Sequence, residues 1–444
     1  MNILDKLHQP ENRKLEFKRE FPARSNLLKT IVAFANGAGG ELILGISDDD
    51  RKIIGIDEPL LLEERISNLI HDAIHPSVSP YISILNVQGK EILIVQILAG
   101  SNKPYSIKSL GIEKGIYVRI GSTNRQATPD MIAELRRQSR GITFETEMDI
   151  TKNVTDLEEQ SLSLFFESIE EPVYINDTLS KWRILQKNNG DYFPTVAGLV
   201  LFGKSELFDY DFAGIRLTRF QGTTLTNISE TREYSIPIIS KIDKLCRHVV
   251  DFLQKESYLE GTRRLERTII PFYAVREVIV NAIVHRDYSI RGSSIKINVF
   301  DDRLEVISPG ILFGNLDISD IGTGLSECRN RSIARIFRKL NLMEELGTGI
   351  ARIYDLYEEK RLKKPAFWEQ GQFFKAILPQ EREYQNNVDR IYDIIKRSTG
   401  ISASDIAKQM KLHHNTILRY LNQLIADGRI KKTGSGKKII YKAM

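Results

Sequence analysis

The chain has 444 residues, 41% hydrophobic and 27% charged, with a net charge of +5, which allows about three or four domains at roughly 100–200 residues each and excludes a disordered chain. It offers no apolar run of the roughly 18 residues a membrane span needs, and Met1-Asn2-Ile3-Leu4-Asp5-Lys6 lacks the apolar core of a secretion signal, so the expected location is the cytoplasm, with no membrane partner. Two cysteines, Cys246 and Cys328, leave no room for a disulfide framework or a cysteine zinc site.

Residues 1–140 carry an α/β pattern. Helical spacing covers Asn26 to Asn36, the glycine turn Asn36-Gly37-Ala38-Gly39-Gly40 follows, and the apolar strand Glu41 to Ile46 comes next. Further strands are expected at Tyr81 to Val87, Glu91 to Leu98 and Gly115 to Ile120, and Thr128-Pro129-Asp130 opens a helix to about Arg140 with Thr128 as N-cap. Successive glycine amides can cradle a phosphate, but a helix C-cap leading into a strand explains the same glycines and is preferred. Ahead of these elements, Glu11 and Glu16, with Asp48 as a third acid, form a candidate divalent-metal set for phosphodiester hydrolysis. The simpler alternative pairs Glu16 with Lys18 on one side of a strand.

Residues 141–193 are polar and read as a helical connector. From Pro194 the α/β pattern returns: a strand at Gly198 to Phe202, another at Ile215 to Phe220, helices at Ile236 to Lys255 and Ala274 to His285, and a hairpin of Ser294 to Phe300 with Arg303 to Ser308. Between Arg276 and Tyr288 an apolar helical pattern sets Glu277 and Asn281 four residues apart, on one face. A carboxylate and a carboxamide leaving a buried helix together need something polar to meet, and a nucleotide's Mg²⁺ with its attacking water suits both. Ser308-Pro309-Gly310 and Gly347-Thr348-Gly349 add two turns where backbone can approach phosphate. The alternative is an inert scaffold, with Glu277 paired to Arg276 or Arg286 and Asn281 capping nearby backbone.

Residues 385–444 form a separate unit. Helices are expected at Val388 to Arg397, Ser402 to Met410 and Asn415 to Ala426, followed by strands at Arg429 to Thr433 and Lys437 to Lys442 around a glycine turn. Three helices and a hairpin describe a winged helix. Ile417, Leu421 and Leu424 should pack inward, leaving Asn415, Thr416, Arg419 and Gln423 outside to read a major groove. Lys431, Lys432, Lys437 and Lys438 on the wing would meet phosphates. A protein-binding module with solvated lysines is the alternative.

Two resemblances organise these motifs. Residues 11–140 resemble the Schlafen-type AlbA domain through Glu11, Glu16-Phe17-Lys18, Ala33-Phe34-Ala35-Asn36, Gly39-Gly40, Leu44-Gly45-Ile46, Lys103-Pro104-Tyr105 and Tyr117-Val118-Arg119-Ile120-Gly121-Ser122. That family implies nucleic-acid binding, and its nucleases imply metal at Glu11, Glu16 and Asp48. Residues 194–380 resemble the GHKL-type ATPases in their divergent, RecG-like C-terminal version, on the residues around Glu277 and Asn281 and on the two glycine turns. This resemblance implies a Bergerat-type α/β sandwich holding ATP, with Asn281 on Mg²⁺, Glu277 at the attacking water, Ser308 and Gly310 where the family grips adenine, and Gly347, Thr348 and Gly349 along the phosphates. Ser308 stands where the family has an aspartate, so the carboxylate that reads adenine is missing.

The fold class expected is therefore α/β to α+β in three modules and a connector. The expected function is a nucleotide-responsive DNA-binding protein, a transcriptional regulator whose conformation or assembly is set by ATP and Mg²⁺. Duplex DNA is the first partner, RNA the second candidate, and the ATPase resemblance implies a homo-oligomer. The alternative is a metal-dependent nuclease acting on DNA or RNA in phage defence; as an enzyme, a weak ATPase ranks ahead of it.

Overall fold

The computed structural model describes every residue except 1, 2, 49, 171–174, 261, 262, 315, 345, 346, 384–386 and 435–438. Near the N-terminus, β1 (Leu15–Lys18) is followed by α1 (Arg24–Asn36) and β2 (Gly40–Leu44), which returns parallel to β1. After α2 (Pro59–Ala73), the antiparallel hairpin β3 (Tyr81–Val87) and β4 (Lys90–Ile97) completes a sheet of order β1-β2-β4-β3. Leu27, Ile31 and Phe34 of α1 pack into one core with Leu42, Leu93 and Val95. The glycine turn ends the helix: Gly37 N donates to Ala33 O and Phe34 O, and a Cβ at Gly40 would lie 2.6 Å from the Phe34 ring. Asn36 fastens this corner, donating to Tyr105 O at 2.8 Å and Tyr117 O at 3.0 Å while accepting from Tyr105 N at 2.7 Å. The helix expected after Thr128 is α3 (Pro129–Ser139), with the Thr128 hydroxyl accepting from Met131 N.

A second, larger core joins residues from Leu157 to Leu378. It begins with α4 (Val196–Phe202), which is a helix where the apolar run led us to expect a strand. All seven residues are buried, so no period could show in the sequence, and the Thr195 hydroxyl decides the matter by accepting from Gly198 N at 3.0 Å. Then come β5 (Ile215–Phe220), β6 (Ile228–Tyr234) and α5 (Ile242–Phe252). Helix α5 is shorter at both ends than the expected span Ile236 to Lys255; Pro237 keeps Ile236 out of it. Next follow α6 (Phe272–Val284), β7 (Ile295–Val299), β8 (Arg303–Pro309), α7 (Arg331–Lys339), α8 (Gly349–Glu359), β9 (Ala366–Gln370) and β10 (Phe373–Pro379). The six strands run β6-β5-β7-β8-β10-β9, with only β5 and β7 parallel. Helix α6 packs on β8 and against α5, α7 and α8, which explains why its apolar residues surround nearly the whole cylinder.

The segment expected as a helical connector is part of this core from Leu157 on, and it closes with an antiparallel pair, Leu185–Asn188 and Asp191–Pro194, rather than with helix. Glu145 is fully buried, accepting from Ser332 N at 2.7 Å and Ile333 N at 3.1 Å, so it caps the start of α7 from 187 positions away. Burial nonetheless raises its carboxyl above the usual range, against those two bonds.

The C-terminal unit has its own core, built from α9 (Asn387–Arg397), α10 (Ala403–Met410), α11 (His414–Ala426), β11 (Ile430–Thr433) and β12 (Ile440–Ala443), the strands antiparallel. Ser402 caps α10 by accepting from Asp405 N, and His413 caps α11 by accepting from Asn415 N. No helix among the described residues is long and apolar enough to cross a membrane.

Replacing Glu145 with Ala strands two buried amides, each worth roughly 1–3 kcal/mol. Urea unfolding of Glu145→Ala is expected to show a loss of about 2 kcal/mol, and an unchanged midpoint would contradict the capping role.

Candidate functional site

Helix α6 is largely apolar, and its Glu277–Asn281 edge meets a cleft, about 1100 Å³ counted with its solvent-open space, between α6, the chain after β8 and the start of α8. Asn281 Nδ2 donates to Glu277 Oε1 at 3.0 Å, so the two side chains expected on one face do meet. Glu277 is buried, and burial lifts its carboxyl above the usual range; the Asn281 bond works the other way. Gly349 opens α8 directly against this carboxylate: a Cβ there would sit 1.9 Å from Glu277 Oε1. The glycine is required by that approach, and Gly347, at φ +65°, supplies the turn before it.

Gly310, Gly347 and Gly349 line the cleft together with Glu277, Asn281 and Ser308. Thr348 is not brought to that wall; it is exposed, and its hydroxyl donates to Glu344 Oε2 at 3.2 Å. Ser308 is buried and its hydroxyl donates to Ala282 O at 2.9 Å, tying β8 to α6. Gly310 has φ +111°, and a Cβ would meet Asp287 Cβ at 2.9 Å. Glu277 pairs with neither Arg276 nor Arg286 among the described ion pairs. Arg286 is instead wholly buried and donates to the carbonyls of Phe212, Asp287, Ile290 and Ser293, which fixes the chain leaving α6. Half-buried His285, also on the cleft, is held down at about 4 by burial and by Arg329, so it is neutral at pH 7.

The cleft wall is fastened to the N-terminal segment. Arg13 Nη1 donates to Glu369 Oε1 at 3.0 Å and to Leu312 O at 3.5 Å, and the same Glu369 oxygen accepts from Leu312 N at 2.7 Å. Lys14 reaches Asp320 at 3.0 Å. Sequence reasoning missed these residues, although Arg13 and Lys14 lie between Glu11 and Glu16; nothing local marks a contact spanning 356 positions.

Glu11, Glu16 and Asp48 do converge, but on the Lys18 ammonium, at 4.0, 3.6 and 3.2 Å. Arg119 adds a 2.6 Å pair to Glu16, and Arg51 lies 3.8 Å from Glu11. The expected metal set is thus a charge-compensated cluster: among the described residues no three acidic, His or Cys side chains are placed to hold a metal ion. Three cations already balance the carboxylates, and a dication would have to displace Lys18.

On α11, Ile417, Leu421 and Leu424 are buried, Asn415, Arg419 and Gln423 are exposed, and Thr416 is half-buried. Lys431 and Lys432 are exposed but adjacent on β11, so they face opposite sides. Lys432 shares its face with buried Tyr441, whereas Lys431 stands opposite Lys442, which the sequence reading omitted. Lys437 and Lys438 lie outside the described residues.

Comparison with known proteins agrees with both resemblances. Residues 11–128 match the family model described as "Schlafen, AlbA_2", and residues 292–378 match the one described as "Putative ATP-dependent DNA helicase recG C-terminal". The second match covers Ser308, Gly310, Gly347 and Gly349 and begins beyond Glu277 and Asn281. A curated relative, an uncharacterized ATP-binding protein of Ureaplasma parvum, is 26% identical over 197 residues, 41% of this chain and 53% of its own. The chain thus spans about half the length of that relative. Among solved structures, the DIP2311 protein of Corynebacterium diphtheriae is 20% identical, covering 97% of this chain and 92% of its own at a TM-score of 0.46. The N-terminal domain of a RecG-related protein from Nitrosomonas europaea is 26% identical, covering 28% of this chain and 90% of its own at a TM-score of 0.24.

Because burial raises the Glu277 carboxyl, the folded chain holds that proton more tightly than the unfolded one. Its contribution to stability is present below the ordinary carboxylate range and is lost as pH rises through the raised value. Glu277→Gln removes this dependence, so the variant's melting temperature is expected to gain on wild type between pH 4 and pH 8. Parallel melting curves across that range would show that Glu277 is not buried against its charge.

Proposed function

We propose that this chain is a nucleotide-responsive DNA-binding regulator: ATP with Mg²⁺ occupies the cleft beside α6, and occupancy sets the conformation or assembly of a chain that holds duplex DNA through its C-terminal winged helix. The observation that carries the reading is the Glu277–Asn281 pair facing a glycine-lined cleft. The residues suit the ligand. Asn281 spends one amide hydrogen on Glu277, and its carboxamide oxygen is left for a hard cation that prefers oxygen. Gly347 and Gly349 let the first turn of α8 approach phosphate closely, where helix amides favour negative charge. A bound Mg²⁺ would supply charge neutralisation between phosphate oxygens.

The ATP-binding name of the Ureaplasma parvum relative and the recG match support the nucleotide, and the Schlafen, AlbA_2 match supports work on nucleic acid. Glu277, with its raised carboxyl, is suited to take a proton from water, so slow ATP hydrolysis belongs to this reading as a secondary activity. Ser308 brings no carboxylate to adenine, and its hydroxyl hydrogen is spent on Ala282 O, which leaves only the oxygen lone pairs to accept from a ligand. Duplex binding rests on Asn415, Arg419 and Gln423 toward base edges and on Lys431 with Lys442 toward phosphates. A second copy of the chain is the assembly partner implied by the ATPase resemblance. The nuclease reading has less support, because Lys18, Arg51 and Arg119 neutralise its carboxylates.

Calorimetric titration of ATP with Mg²⁺ is expected to show at least a tenfold weaker Kd for Asn281→Ala, about 1.4 kcal/mol; equal heats from both proteins would remove the nucleotide reading. Duplex binding is expected to vanish on deletion from residue 385 and to weaken severalfold in Arg419→Ala. In Lys431→Ala the dependence of log affinity on log salt should fall by roughly one. A deletion chain that binds duplex as wild type does would overturn the DNA assignment.

A further inference from the structure

A second cleft, about 1210 Å³, lies where the N-terminal module meets the ATPase-like one. Met131 and Leu135 from α3 give it apolar wall together with Ile290 and Leu312, while Asp130, Glu134 and Asp287 bring carboxylates to the same lining. Its charges are uneven. Arg13, Arg119 and Arg329 also line it, but each already has a carboxylate: Glu369, Glu16 and Asp287. Lys103 does not. Its ammonium donates to Gly37 O at 3.1 Å and Gln138 Oε1 at 3.4 Å, both neutral, and no described ion pair includes it. An ammonium has three donors, so one remains. Exposed Arg291 also lines the cleft and likewise appears in no described ion pair; its guanidinium stacks over Phe212 at 5.4 Å.

An inward ammonium bonded only to neutral oxygens carries a desolvation cost that an anion would offset. Burial holds Lys103 down at about 8, more than Glu327 and Glu134 lift it, and Arg13 adds to the lowering. We propose that this intermodular cleft is a second ligand site, taking a small organic anion whose carboxylate or phosphate meets Lys103 and Arg291 and whose apolar body lies between α3 and the Ile290–Leu312 wall. Gly310 and Leu312 line both clefts, so the anion and the ligand of the first cleft contact opposite sides of one stretch of chain. Any effect of one on the affinity of the other must then be reciprocal.

Phenyl phosphate and benzoate, titrated separately into the full chain by calorimetry, test the proposal and distinguish the two head groups. At least one is expected to bind with a single site at millimolar Kd or better, and to lose at least tenfold in affinity in Lys103→Met. Arg291→Ala, an exposed change that spares the core, is expected to weaken the same probe severalfold. Asn281→Ala should leave it within twofold, which separates this site from the first cleft whether or not that cleft binds nucleotide. The proposal is overturned if neither probe binds wild type at millimolar concentration, or if both lysine and arginine variants bind as wild type does.

Discussion

The carboxylate of Glu369 holds two distant parts of the chain to one loop. Its Oε1 accepts from Leu312 N, on the cleft wall, and from Arg13, just before β1. Both side chains of the ion pair are nearly buried, so neither charge can be left to water without a cost of several kcal/mol. Such a pair contributes less to net stability than to fixing which surfaces meet. Lys14 and Asp320 repeat the connection one residue on, and β1 then leads directly to Glu16 and Lys18. The carboxylate cluster, the intermodular cleft and the wall of the first cleft therefore share one short stretch of backbone.

The first cleft follows from a related constraint. Helix α6 is buried by neighbours on most sides, and its polar pair can exist only because glycine at 349 leaves room for the Glu277 carboxylate. On the proposed reading the cation meets the Asn281 oxygen, and Glu277, raised by burial and bonded to one amide, stands beside it as a base. Regulation by occupancy fits that chemistry, and it needs the mechanical path through Leu312 and Arg13 more than it needs a fast chemical step.

Elements with a visible period or a capping residue were legible in the sequence: β3 between turn signals, α3 behind Thr128, and α11 with its buried Ile417, Leu421 and Leu424. Helix α4 was not, because a fully buried apolar run has the same composition as a strand. That Glu277 and Asn281 share a face was legible because four residues on a helix are local, whereas their bond to each other was not anticipated. The capping of α7 by Glu145, the Arg13–Glu369 pair and the placing of Lys442 opposite Lys431 were not, since each depends on tertiary contact or strand register. The three acids near the N-terminus show the limit most clearly. Their convergence and the pairing of Glu16 with Lys18 could both be anticipated as alternatives, but not that one ammonium would meet all three acids at once.

Hydrogen exchange along residues 11–18, with and without ATP and Mg²⁺, tests the central claim most directly. Saturating nucleotide is expected to slow exchange there in wild type and to leave it unchanged in Arg13→Met, while calorimetry shows that the variant still binds ATP. If nucleotide binds wild type and exchange over residues 11–18 does not change, the cleft and the N-terminal module are not coupled through Glu369 and the account fails.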